Sequence, residues 1–218
     1  GRIYRSLIES ADFENETRFD FNARLESVGI INEFGGGQEM FYAACNGNAE
    51  NLDMMLDSLH SIAFRLKPTD ADFAQGKYEA IRYVKSAKRY PKSTGLMEKM
   101  MWKDLYHDSA IECHGPISES KLAEAEFADL KNFTSSIFVP NNAVLVVIGD
   151  IQATEVFKAA MQKFGDQQAA VISTDVPESP KNPASSRKIE NIEYADLEET
   201  EVLIGFEAPG ISDPDMAA

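Results

Sequence analysis

Between Leu52 and Leu66 the apolar residues Leu52, Met55, Leu56, Leu59, Ala63 and Leu66 return every three or four positions. That spacing gathers them on one face of a helix and leaves the other face polar, so the segment must lay its stripe against another element. Asn48 upstream is a suitable N-cap, and Pro68 ends the run. A chain built around such a stripe folds into layers about a core. The rest of the composition agrees: apolar residues make up 44% and charged residues 26% of the 218. Disorder, collagen and a disulfide-stapled miniprotein are excluded.

Other segments carry their own patterns. A helix is predicted from Gly1 to about Asn15, broken near Asp12–Glu16. A second runs over Phe21–Val28, with Leu25 and Val28 inward and Gly29 as its stop. Ile30–Phe34 reads as a strand, Gly35-Gly36-Gly37 as a connection and Gln38–Cys45 as a second strand. Helices follow at Asp70–Lys88, with Phe73, Ala80, Ile81, Val84 and Ala87 on one side, then at Thr94–His107 and Leu122–Ile137. The unbroken apolar run Ala143–Ile148, closed by Gly149-Asp150, predicts a strand buried on both faces. A last helix over Ala153–Phe164 turns Val156, Phe157, Ala160 and Phe164 inward and stops at Gly165. Asp166–Arg187, with Pro177, Pro180 and Pro183, reads as a linker. Lys188–Tyr194 and Glu201–Glu207 read as closing strands. The class is α+β. The predicted layout is one domain over 1–165, a linker or loop over 166–187, and closing strands over 188–218 that begin a following half-unit.

The charge excludes one class of partner. Twenty-one basic against 36 acidic side chains leave a net charge of −15, a field that repels a phosphate backbone. Basic peptides or a basic protein suit it better. No apolar run reaches the ~20 residues of a membrane span. Cys45 and Cys113 are too few for a disulfide framework and read as small, partly buried thiols. They do not fix a compartment.

Motifs for catalysis are missing. The glycine triplet opens no helix and has no Lys-Ser/Thr pair behind it, so it is no phosphate cradle. No G-x-S-x-G, C-x-x-C or G-x-G-x-x-G occurs. His60 sits at the edge of a periodic helix, His107 at the end of another, and His114 beside Cys113, with no second ligand pair at a zinc spacing.

The order and spacing of several segments nevertheless resemble the insulinase/pitrilysin family of zinc metallopeptidases, which includes the mitochondrial processing peptidases. Leu25-Glu26-Ser27-Val28-Gly29-Ile30-Ile31-Asn32 is similar to the family's helix, glycine turn and Asn-bearing strand. Asn51-Leu52-Asp53-Met54-Met55-Leu56 is similar to the helix after it. Asp129-Leu130, Phe133 and Pro140 through Asp150 resemble its helix-to-strand segment ending in Gly-Asp. Gly205-Phe206-Glu207-Ala208-Pro209-Gly210 resembles the strand that opens a unit's second half. The resemblance runs from about residue 6 to 215, and it implies an antiparallel sheet covered by helices on one side.

The family's device is H-x-x-E-H on a helix: two histidines one turn apart hold Zn²⁺, and the Glu polarises the attacking water. The resemblance puts Ser6 and Ser10 at the histidines and Glu9 at the general base. A later family helix supplies a third ligand from a pair of glutamates seven apart. These positions fall here on Gly76 and Tyr83, with Tyr83 73 residues after Ser10. A serine hydroxyl keeps its proton and a phenol titrates near 10, so neither competes as a zinc donor. The resemblance therefore implies a degenerate motif at Ser6, Glu9, Ser10 and Tyr83, no catalytic residue and no zinc or other cofactor. Family units also open with two strands before the motif helix, whereas this chain starts almost on that helix, as a fragment of a longer protein would.

The implied role is a silent domain that pairs with an active peptidase domain or subunit and helps enclose peptide. An extended peptide would add to a strand edge at Asn32, Glu33 and Phe34. Two alternatives stand beside it. One is an active zinc endopeptidase using His107, Cys113 and His114 with Glu112 or Glu119. The other is a purely structural assembly subunit.

Overall fold

The computed structural model describes residues 2–36, 40–89, 95–105, 117–172 and 202–206. It divides into two compact units, residues 1–82 with 122–173, and residues 83–121 with 174–218.

The first unit starts with α1 (Arg2–Ser10), which buries Ile3, Tyr4, Leu7 and Ile8 along one face. The predicted break after it holds. Phe13 forms an isolated antiparallel bridge with Leu66, and its ring lies 4.3 Å from that of Phe21. Helix α2 (Arg18–Glu26) begins earlier than predicted because Thr17 caps it, accepting from the Asp20 amide at 3.1 Å and donating to its carboxylate at 2.7 Å. Leu25 is buried as expected, but Val28 is exposed. The reason is the turn: Gly29 takes φ +72°, and the Ile30 amide reaches back to the Leu25 carbonyl at 2.9 Å, leaving Val28 on its outside.

Strands β1 (Ile31–Gly36) and β2 (Phe41–Asn46) pair antiparallel, with Asn32 opposite Cys45 and Phe34 opposite Ala43. A Cβ on Gly35 would meet the ring of the exposed Tyr42, which would have to swing aside. Asn48 accepts from the Glu50 amide, as an N-cap should, and starts a short 3-10 turn that leads into α3 (Leu52–Phe64). Thr69 and Asp72 cap each other's amides at the start of α4 (Asp70–Arg89), the helix on which the division into units falls.

The predicted helix Leu122–Ile137 is two helices, α6 (Glu119–Glu124) and α7 (Phe127–Ile137). The chain breaks at Ala125–Glu126, where the Asp129 carboxylate accepts from the Glu126 amide and the Lys77 ammonium takes the Ala125 carbonyl at 2.9 Å. Two groups of buried side chains form the core. Tyr4, Ile8, Phe13, Phe21, Leu25, Ile30 and Ile62 make one; Ile3, Leu7, Phe73 and Ala80 make the other. Each large apolar side chain so buried contributes roughly 1.5–3 kcal/mol.

Two expectations fail in this unit. Ala143–Ile148 has no regular structure and pairs with no strand among the described residues, and Val144 and Ile148 are 89% and 93% exposed. A strand becomes buried only when neighbours take its backbone groups and cover its faces, and no described residue covers Val144, Val146 or Ile148 in that way. On α8 (Ala153–Phe164), Phe157 is 69% exposed. The inward stripe is Val156, Ala159, Ala160, Lys163 and Phe164 instead. Lys163 turns the helix this way by reaching Asp53 at 3.2 Å and Asp57 at 3.4 Å on α3.

In the second unit, α5 (Leu96–Leu105) lies within the predicted Thr94–His107 and follows Gly95 at φ +61°. A Cβ on Gly205 would approach Met101 Sδ to 2.7 Å and Leu105 to 2.8 Å, so α5 and residues 202–206 meet closely at that glycine. Residues 202–206 form no strand with any described residue, contrary to expectation. The predicted strand Lys188–Tyr194 lies outside the described residues. Among the described residues no helix is long and apolar enough to cross a membrane.

Candidate functional site

Of the predicted motif residues Ser6, Glu9 and Ser10 share α1, whereas Tyr83 lies on α4, whose first half approaches α1 closely. Gly76 makes that approach: a Cβ there would stand 3.2 Å from the Ile3 carbonyl oxygen and 3.4 Å from Ser6 Cβ. One turn on, the Ser6 hydroxyl donates to Glu79 Oε2 at 2.7 Å, and the Gln75 amide donates to Oε1 at 2.9 Å. These two bonds, the Ser6 one first, hold the Glu79 carboxyl below its usual range. Ser10 donates to the Ser6 carbonyl at 2.9 Å, and Glu9 pairs with Arg5 at 3.1 Å on the open face of α1.

Glu79 is the residue the sequence analysis missed. It lies 73 residues after Ser6, the span that separates Ser10 from Tyr83. The family pattern directed attention to Tyr83, one turn further along. Tyr83, in the second unit, accepts a hydrogen bond from Lys99 Nζ at 3.0 Å.

The chemistry of this cluster is limited. A carboxylate with a lowered pKa is a weak base, and a serine hydroxyl beside it has no imidazole to take its proton. Two hydroxyls and one carboxylate do not make a zinc set. Among the described residues no three His, Cys, Asp or Glu come together as metal ligands. Of the alternative ligands, His107, Glu112, Cys113 and His114 lie outside the described residues. Glu119 pairs with Lys85 at 3.2 Å.

The three strand positions are Asn32, Glu33 and Phe34 on β1, which pairs with β2 alone among the described residues. Asn32 is half-buried, and its side-chain oxygen accepts from Cys45 Sγ at 3.0 Å and Ser58 Oγ at 3.4 Å. Burial raises the Cys45 thiol above its ordinary value. Phe34 packs on the first core group, and Glu33 is exposed and accepts from the Tyr42 hydroxyl at 2.7 Å. Phe34 and Asn32 thus fix the strand from below.

Known proteins supply the remaining constraint. Residues 125–218 match the family model described as the Peptidase M16 inactive domain. A solved structure, described as that of a protease from Helicobacter pylori, superposes with a TM-score of 0.64 at 14% identity, over 82% of this chain and 43% of that one. The likeness is one of fold, and this chain spans less than half the length of that protein. No curated protein sequence matches it.

Proposed function

We propose, from the premise that this chain is a degenerate member of the insulinase/pitrilysin (M16) metallopeptidase family, that it is a non-catalytic domain pairing with an active peptidase domain and helping to enclose an extended peptide. The observation that carries the reading is the Ser6–Glu79 hydrogen bond. At the motif position a hydroxyl on a carboxylate ties α1 to α4, and neither serine there is a zinc donor, which supports a non-catalytic role. The match of residues 125–218 to the family's inactive domain supports the same reading.

For peptide the candidate surface is the β1 edge at Asn32, Glu33 and Phe34, because an added strand bonds to backbone groups and needs no particular side chain. A net charge of −15 favours basic peptides there. Fluorescence anisotropy tests it with labelled extended peptides, one basic, one acidic, and one basic with alternate backbone amides methylated. The basic peptide is expected to bind and the methylated one to lose binding. Equal binding of all three, or of none, overturns the peptide role. Plasma mass spectrometry after equilibration with zinc is expected to find far less than one equivalent, whereas a full equivalent overturns the non-catalytic reading.

A further inference from the structure

The packing of α8 on α3 has a histidine at its centre. His60, on α3, is 6% exposed, with its ring centroid 5.2 Å from that of Phe64 and 5.5 Å from that of Phe164 on α8. Its Nε2 lies 3.2 Å from the Gln167 side-chain amide, just past the end of α8. Its Nδ1 is buried and has no hydrogen-bond partner. A neutral imidazole tolerates this position by leaving one nitrogen unpaired. An imidazolium carries two N–H groups and would bury one without an acceptor, together with a full charge.

The charges around it are already committed. Asp57, one turn before His60 on α3, meets Arg24 of α2 at 3.7 Å, Arg65 at the end of α3 at 3.5 Å and Lys163 of α8 at 3.4 Å. Asp53 takes Lys163 as well, and Glu16 takes Arg24 at 2.7 Å. From β2, which also packs on α3, the titratable group is the Cys45 thiol, bonded to Ser58. One carboxylate near the imidazole thus serves three cations and has little left for a fourth. Burial first, then Arg65 and Lys163, lower the His60 pKa from its ordinary value, with Asp57 opposing.

We propose that His60 is an acid-sensitive latch: neutral, it lets the rings of Phe64 and Phe164 close α8 onto α3, and protonated, it releases α8. The sign follows from linkage. Once α8 is released, the imidazole returns to about 6.5, so the closed packing is fully favoured above that pH. It weakens as pH falls below 6.5 toward the lower value of the closed state. Every unit of pH in that window shifts the balance on the order of tenfold toward the open form.

Two measurements on the full chain test this. Imidazole NMR should show His60 titrating below 6.5. Hydrogen exchange, corrected for intrinsic rates, should show α8 amides losing about tenfold protection per pH unit in that window, while α1 amides hold theirs. In His60→Phe the pH dependence of α8 should vanish. Lys163→Met, which removes a facing cation, should move the closed-state imidazole midpoint upward toward 6.5 and so shrink the acid-driven loss of α8 protection. An imidazole titrating at or above 6.5 with α8 still protected overturns the proposal, as does α8 protection independent of pH. Those outcomes are read on the unmodified chain, so a misfolded variant does not decide the matter.

Discussion

Leu52–Phe64 and Ala143–Ile148 are both apolar segments that a reader of the sequence would place in the core, and their outcomes are opposite. The first is α3, with Leu56, Ile62 and even the polar Ser58 and Ser61 shut away from solvent. The second is a run outside regular structure in which Val144, Val146 and Ile148 face outward. A helix satisfies its backbone within itself and needs neighbours solely for one face. A strand needs neighbours for its backbone on two edges and for its side chains on two faces. The apolar pattern is therefore a sufficient instruction for α3 and half of one for 143–148. The run is anchored at its start, where Asn141 exchanges two hydrogen bonds with the Ala170 backbone at 2.8 and 3.1 Å. Its end lines a cleft of about 170 Å³ with Gly47, Ala49, Leu52 and Met55.

The largest predicted effect tests this contrast directly. Leu56 is 1% exposed, and Leu56→Ala removes three carbons from a filled site, at a cost of about 2–5 kcal/mol. Val146→Ala, in the exposed run, should stay within about 0.5 kcal/mol. Urea unfolding followed by circular dichroism measures both. A Val146→Ala loss comparable to that of Leu56→Ala would mean that this run is packed in solution, and the contrast would break.

A second effect, smaller, concerns the α1–α4 pair. Ser6→Ala deletes the donor to Glu79 in a half-buried setting, which should cost about 0.5–1.5 kcal/mol. It should also change the acid limb of stability. Glu79 has a lowered pKa, so its contribution is present above the unfolded carboxyl value of about 4.3 and is lost as pH falls through the folded value. In Ser6→Ala that loss is smaller, and stability measured between pH 6 and 3 (the span of ordinary carboxyl titration) should fall less steeply than in the parent chain. An unchanged acid slope would show that Ser6 and Glu79 do not meet in solution.

What was legible follows the same division. Local signals located the helices, because caps and periodicity act within a few residues: Asn48 and Gly29 stand where expected. Of the stripe from Leu52 only Leu56 is fully buried, Ile62 joins it, and the helix ends at Phe64 with Leu66 beyond it in the bridge to Phe13. The cap at Thr17 and the break at Ala125–Glu126 were missed. The second depends on Lys77, 48 residues away, arriving at a carbonyl. Phe157 was misplaced for a similar reason, since Lys163 sets the rotation of α8 through acids on another helix. At the site, the family resemblance put Ser6, Glu9 and Ser10 on one helix, and they do lie on α1. Glu79 was not, because nothing in a single sequence says which of two residues a turn apart on α4 will face Ser6.

The smallest effect is the most useful for Glu9. Its carboxylate is paired with Arg5 one turn away, and both side chains are 59% exposed. Such a pair holds its geometry against two flexible side chains and a solvent that already satisfies both charges, so it contributes about 0.3–0.5 kcal/mol. Glu9→Gln should therefore shift the urea midpoint barely beyond error and leave peptide anisotropy unchanged. The same substitution at a working general base would abolish turnover while leaving the fold intact. The two roles thus predict different observables, stability for a surface ion pair and hydrolysis for a base. A chelator-sensitive peptidase activity that disappears in Glu9→Gln would reassign this residue, and would make the serines beside it part of a site built on other ligands.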